Sequence, residues 1–407
     1  MGRIEEKFAK LATDHAPGQE VRQRDALPDA ELRGEPLPGI PVDFSHGDVD
    51  EDAFAPTPGA LDAFVAGVHR GGAQAYTEYR GDAELRERLA AKLAAFTGRP
   101  VSGEQELIIT PGTQGALFLA MAASVTAGDR VAIVHPDYFA NRKLVEFLGA
   151  KAVPVRLDYL NRRDRAGLDL DQLQDAFASG VGTFLFSNPN NPVGVVYSQA
   201  EIASIAELAN RHGVTVIVDQ LYSRLLYAGG VYTHLRASPI VPGNVVTIMG
   251  PSKTESLSGY RLGVAFGAAR VIDRMEKLQA IVSLRAPGYC QAVLDTWFAE
   301  PSGWMRERIE QHQAIRDDLM NALSSVPGLA ARSPEAGSYL FPRLPALGVP
   351  LHAFVRALRQ QARVTVTPGT EFSPHAADSI RLNFSQNHAA AVQAVGRIAL
   401  LIERYRA

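Results

Sequence analysis

Val245-Val246-Thr247-Ile248-Met249-Gly250-Pro251-Ser252-Lys253-Thr254-Glu255-Ser256-Leu257-Ser258-Gly259-Tyr260-Arg261-Leu262-Gly263 sets an apolar run, a polar turn with one lysine, and the start of a second apolar run, 262–266, side by side. Neither run alternates polar with apolar residues, so each reads as a strand covered on both faces. Val131-Ala132-Ile133-Val134, Thr183-Phe184-Leu185-Phe186 and Val214-Thr215-Val216-Ile217-Val218 repeat the pattern. Between them lie amphipathic helices. Residues 82–97 space Leu85, Leu89, Leu93 and Phe96 along one face ahead of Gly98. Residues 198–212 open with Ser198 and Glu201 at capping-box spacing and end at Gly213. Buried strands alternating with such helices predict an α/β fold: a large domain with a mostly parallel sheet flanked by helices.

The pattern changes towards the C-terminus. A long charged helix over 303–323 precedes three short runs, 336–341, 364–369 and 379–384, which suit a smaller α+β domain. The expected division is an N-terminal arm with part of the small domain in 1–52, a large domain in 53–302, and the rest of the small domain in 303–407. Residues 1–40 read as a helix followed by an irregular arm. The 407 residues carry 41 basic and 44 acidic side chains, net charge -3. That balance disfavours a nucleic-acid or anionic-membrane partner. No apolar run approaches a membrane span, and the charged start lacks a signal-peptide core. A single cysteine, Cys290, leaves no internal disulfide and suits a reducing cytoplasm.

Several reactive residues fall just after a run, where open α/β sheets bind ligands. Asp219 and Tyr222 follow 214–218. Asn188-Pro189-Asn190-Asn191-Pro192 follows 183–186, and Tyr138 follows 131–134. Ser252 and Lys253 follow 245–249, and Arg261 precedes 262–266. Thr110-Pro111-Gly112-Thr113-Gln114-Gly115 opens a helix, whose free N–H groups and dipole suit a phosphate. An amine, a carboxylate, phenol and amide donors, and an arginine are what pyridoxal phosphate requires for its aldehyde, ring nitrogen, phenolate oxygen and phosphate. Taken singly, each has a structural alternative: a surface lysine, a turn aspartate, an Asn-Pro turn. No metal site is assigned.

In this order the motifs resemble the class I/II aminotransferases of the aspartate aminotransferase superfamily, fold type I of the pyridoxal-phosphate enzymes, over roughly residues 40–400. The resemblance implies that Lys253 forms a Schiff base with the cofactor and moves the substrate's α-proton. Asp219 then meets the ring nitrogen, and Tyr222 and Asn191 meet its phenolate oxygen. Tyr138 stacks on the ring, in a place where many members have tryptophan, and Asn141 stands where some have a histidine behind the aspartate. Gly112, Thr113, Gln114, Ser252 and Arg261 hold the phosphate, with Tyr76 reaching the site of a neighbouring subunit, which implies a homodimer. Arg381 takes the substrate α-carboxylate and Gly47 closes over it, with His46 either beside the substrate or an incidental loop histidine. Arg285 stands where some dicarboxylate-specific relatives place a partner-subunit arginine; a helix-terminal role is the alternative. The implied reaction moves the amino group of an L-amino acid to a 2-oxo acid. The same residues also serve β/γ-elimination, replacement or carbon–carbon bond formation, for example on S-adenosylmethionine. Transcription regulators that carry this fold behind a DNA-binding domain fit less well, since only about 40 residues precede the matched part.

Overall fold

The computed structural model describes residues 2–9, 11, 32–72, 75–161 and 164–407. In chain order the strands are β1 (Val42–Asp43), β2 (Leu107–Pro111), β3 (Arg130–His135), β4 (Lys151–Arg156), β5 (Thr183–Ser187), β6 (Thr215–Asp219), β7 (Val245–Met249), β8 (Leu262–Gly267), β9 (Tyr339–Leu340), β10 (Val364–Thr365), β11 (Thr367–Pro368) and β12 (Ile380–Asn383). Strands β2 to β8 form one seven-stranded sheet in the order β2-β8-β7-β6-β5-β3-β4. Its neighbours are parallel except around β8, which runs antiparallel to β7 and β2. That reversal puts the start of β8 on the rim where the parallel strands end. Arg261, just before β8, therefore shares a rim with residues that follow β2, β3, β5, β6 and β7.

The expected mostly parallel α/β sheet is present, and its packing explains the unbroken apolar runs. Phe184, Phe186, Val216 and Val218 pack on one face with residues of the helices Leu170–Ala178 and Gln199–His212. Leu185, Ile217, Val246 and Ile248 pack on the other with residues of Gly112–Ser124 and Ala269–Val282. With cover on both sides, successive residues are all apolar. The helix expected over 82–97 spans Ala83–Thr97, capped by Asp82 and ended by Gly98 in the left-handed region. The Ser198–Glu201 capping box is formed, and the helix ends at Gly213.

Other elements differ from expectation. Strand β4 was not foreseen. Its Pro154 breaks the apolar signal and is tolerated because β4 is an edge strand, paired with β3 alone. The run 336–341 forms a strand only at Tyr339–Leu340, and 364–369 splits into β10 and β11 around Val366. The long charged helix spans Trp304–Ser324. At the N-terminus a helix covers Arg3–Ala9, while residues 32–40 form neither helix nor strand. The arm expected over 12–31 lies outside the described residues.

A second core gathers Val42, Phe44 and Phe54 with Leu319, Phe354 and Leu401. Here β12 pairs antiparallel with β11 and β9, and β1 pairs parallel with β10. No described helix is long and apolar enough to cross a membrane.

One glycine joins sheet and rim. A Cβ on Gly263 would overlap the backbone of Gly112 and Thr113, with Thr113 Cα only 2.7 Å away. The missing side chain lets the helix Gly112–Ser124 start directly over β8. Gly263→Ala should lower unfolding stability by about 1–3 kcal/mol through overpacking. Urea titration of the variant checks this, and an unchanged midpoint would show that the helix start is not held so closely.

Candidate active site

Beyond the rim lies a cavity of about 320 Å³. Gly47, Thr113, Gln114, Tyr138, Asn191, Asp219, Tyr222, Ser252, Lys253, Arg261 and Arg381 all line it. Widely separated turns thus deliver most of the residues singled out in the sequence to one place. Gly112 stands at the margin. Tyr76 and Arg285 lie elsewhere.

One end of the cavity suits an anion. The helix Gly112–Ser124 follows Pro111 with no side-chain cap, so its first N–H groups are left for other acceptors. Gly112 has φ +79, and a Cβ there would overlap the Arg261 guanidinium. The buried Ser252 adds a hydroxyl to the same lining. Helix start, guanidinium and hydroxyl together form a cradle for a phosphate-like group.

In the middle, Lys253 Nζ lies 3.4 Å from Asp48 Oδ1. Burial pushes the Asp48 pKa up, but Lys253 and a Ser258 hydrogen bond outweigh it and hold the carboxyl below its ordinary value. Asp219 ends β6 and accepts the Leu221 N–H at 3.0 Å. Burial nevertheless lifts its pKa to about 6. A cation placed against this half-buried carboxylate would find a partner ready for it.

The far end is built around Arg381 on β12. Its side chain is 1% exposed, lies 4.2 Å from the Tyr339 ring and 4.8 Å from that of Phe372, and donates to Asn191 Oδ1 at 3.2 Å and to the Ser45 carbonyl at 2.8 Å. Nε has no hydrogen-bond partner, and among the described residues no carboxylate pairs with this buried cation. An unpaired buried charge is unfavourable, so the site is matched to an incoming carboxylate. Gly47 faces the same space: a Cβ there would lie 3.4 Å from Tyr339 Oη and 3.5 Å from Lys253 Nζ. Asn383 holds the loop, donating to the His46 and Asp48 carbonyls. His46 lines the cavity and pairs with Asp43 at 3.2 Å.

Among the residues given no role from the sequence, three matter here. Asp48 adjoins Gly47 and could have been read with it. Tyr339 reaches the cavity only through strand pairing, which sequence spacing does not show. Asp137 sits between Pro136 and Tyr138, and a charge straight after a buried strand was a usable signal. It accepts the N–H and hydroxyl of Ser187 and the N–H of Tyr138. Ser187 Oγ in turn accepts the Asn191 N–H at 3.0 Å. Asp137 therefore ties the Tyr138 turn to the Asn191 turn. Tyr138 Oη also donates to Gln114 at 3.0 Å. Asn141 is buried, with Nδ2 lacking a partner among the described residues.

Tyr76 and Arg285 meet each other outside the cavity. The Arg285 guanidinium lies 4.2 Å from the Tyr76 ring and 4.8 Å from the Tyr79 ring. Its Nε and Nη1 are buried without hydrogen-bond partners among the described residues. Around it Ile281, Val282 and Leu284 are exposed.

Burial raises the Asp137 pKa from 3.8 to about 7, against the opposing Ser187 and Tyr138 hydrogen bonds. Between about pH 4 and 7 the folded cofactor-free protein holds a proton that the unfolded chain has released, so this group's contribution falls as pH rises through that window. Asp137→Asn should flatten the decline of the cofactor-free protein's melting temperature over that range. An unaltered slope would mean that the carboxyl ionises normally.

The fold and cavity have known counterparts. The family model "Aminotransferase class I and II" matches residues 40–398. The crystal structure of an aspartate aminotransferase from Rhodobacter sphaeroides is 64% identical, with TM-score 0.94 over 99% of this chain and 100% of that one. An aspartate aminotransferase of Musicola paradisiaca is 26% identical over 358 residues, 86% of this chain and 87% of the relative. An arginine–pyruvate transaminase of Pseudomonas aeruginosa is 27% identical over 360 residues, 88% of each. Sequence family, fold and cavity agree, and the chain belongs to the class I and II aminotransferases, transferases that depend on pyridoxal phosphate.

Proposed function

We propose that the protein moves the amino group of an acidic L-amino acid to a 2-oxo acid, with Lys253 as the cofactor-bearing lysine. The observation that carries this reading is the cavity itself: a lysine amine, a half-buried carboxylate, an anion cradle and a buried guanidinium with no carboxylate partner among the described residues all line it. Pyridoxal phosphate supplies an aldehyde that carries the amino group and a ring that takes up the electron pair left at Cα. Gly112, Thr113, Gln114, Ser252 and Arg261 would hold its phosphate. Asp219 would face the ring nitrogen, whose positive charge would favour the ionised carboxylate. Tyr222 and Asn191 would meet the phenolate oxygen, and Tyr138 would cover the ring.

Arg381 then fixes the substrate α-carboxylate through its planar fork. Fixing that end presents Cα to Lys253 Nζ, the amine in the cavity that can take its proton and return one. Gly47 leaves room for the substrate between Tyr339 and Lys253. The cores suggest a large domain in 53–302 and a small domain in 303–407 that part of 1–52, Val42 and Phe44 included, joins.

The choice of an acidic donor rests on Arg285. Its N–H groups without partners among the described residues, its contact with Tyr76 and the exposed apolar residues beside it fit a homodimer in which each chain lends both residues to its neighbour's cavity. The similarity to the Rhodobacter sphaeroides aspartate aminotransferase supports the same reading.

Cofactor-loaded protein mixed with single amino acids, without an oxo acid, should release one equivalent of 2-oxo acid and no free ammonia. Free ammonia or a displaced β- or γ-substituent would instead place the protein among the elimination or replacement enzymes. Arg381→Ala should lower kcat/KM by about 100-fold for every amino donor, since it removes charge-assisted bonds common to all. Unchanged kinetics would remove Arg381 from the carboxylate site. Mixing Arg381→Ala and Arg285→Ala chains should restore about a quarter of wild-type activity on an acidic donor, because one site of each mixed dimer is intact. No recovery would show that Arg285 does not act across the interface.

A further inference from the structure

Tyr339 is a tyrosine that none of the cofactor or substrate contacts above requires. It sits on β9 opposite Asn383 of the antiparallel β12. Arg381 lies two residues from Asn383, a diagonal same-face neighbour of Tyr339. The pairing delivers the ring beneath the guanidinium, 4.2 Å away. Tyr339 is also 2% exposed, meets the Tyr222 ring edge-on at 5.3 Å and 76°, and has its hydroxyl 2.6 Å from that of Tyr222. The fit around Tyr222 is close. A Cβ on Gly337, which has φ +76, would come within 3.4 Å of the Tyr222 ring.

A phenol has one O–H to give and lone pairs to accept with. If Tyr222 donated to Tyr339, its proton would be unavailable to the cavity. The Arg381 cation over the Tyr339 face draws electron density from that ring and makes the Tyr339 O–H the stronger donor. We propose that Tyr339 donates its O–H to Tyr222, leaving the Tyr222 O–H free for the cavity and strengthening it as a donor to the cofactor's phenolate oxygen. Tyr339 is then a positioning residue, linking the arginine that awaits the substrate carboxylate to the tyrosine that tunes the cofactor. The inference rests on the placement of the cofactor against Tyr222 proposed above.

The charged and titratable groups facing the pair are Arg381, Asp219, Tyr138 and Lys253, with Asp48 and His46 on the loop that closes the cavity. None is altered by removing a phenol oxygen, so tyrosine-to-phenylalanine variants isolate the hydrogen bond. The test is a pH titration of the visible absorption band of the cofactor-loaded protein, in wild type, Tyr222→Phe, Tyr339→Phe and the double variant. A donor to the phenolate oxygen favours its ionised form, so losing donor strength raises the midpoint. Tyr222→Phe should raise it. Tyr339→Phe should raise it by about 10–30% of that amount, the gain expected when one hydrogen bond polarises the next. In the Tyr222→Phe background, Tyr339→Phe should then add nothing.

Three outcomes overturn the proposal. A midpoint unmoved by Tyr222→Phe means that the cofactor does not meet Tyr222, and the placement itself fails. With Tyr222→Phe active as expected, an unmoved Tyr339→Phe midpoint, or an equal shift in both backgrounds, removes the relay alone. A lowered Tyr339→Phe midpoint means that Tyr339 accepts from Tyr222 and competes with the cofactor.

Discussion

A guanidinium buried without a counter-ion among the described residues is the constraint around which this site is arranged. Arg381 is held by two aromatic rings, a side-chain amide and one backbone carbonyl, none of which neutralises its charge. Such a group is unfavourable unless the surrounding structure enforces it. Pairing of β12 with β9 and β11 fixes its position, and the second core of the protein anchors those strands. The Ser45 carbonyl and Asn383 then hold the loop carrying Gly47 over the same space. Much of the chemistry at the rim follows from where this cation waits.

The opposite side of the cavity depends on topology. One antiparallel strand in an otherwise parallel sheet brings Arg261 to the rim shared by Asp219, Lys253 and the start of the helix Gly112–Ser124. Had β8 run parallel, Arg261 would fall at the other end of the sheet. Two carboxyl groups near this rim, Asp137 and Asp219, are raised by burial and serve different ends. Asp137 is spent on Ser187 and Tyr138, whereas Asp219 accepts one backbone N–H and lines the cavity.

The sheet was legible because strands covered on both faces write unbroken apolar runs, as 214–218 and 245–249 do. Strand β4 was not, because an edge strand with Pro154 lacks that signature. Lys253, Asp219 and Asn191 could be picked out because each closes or follows such a run, so local order already places them on the rim. Arg381 needed the resemblance, since nothing in a four-residue strand announces a buried cation. Tyr339 and Asp137 escaped for different reasons. The first depends on register across a sheet of another core. The second was masked by its neighbour Tyr138, although its charge after a buried strand was visible. Tyr76 and Arg285 were each read, separately, as reaching a neighbouring subunit's site, and in one chain they meet each other rather than the cavity.

The central claim is that the cofactor is carried by Lys253 in this cavity. Borohydride reduction of the loaded protein, followed by peptide mapping by mass, tests it most directly. The account predicts one pyridoxyl adduct per chain, on the peptide containing Lys253. An adduct on another lysine, or firmly bound cofactor with Lys253 unmodified, would contradict it.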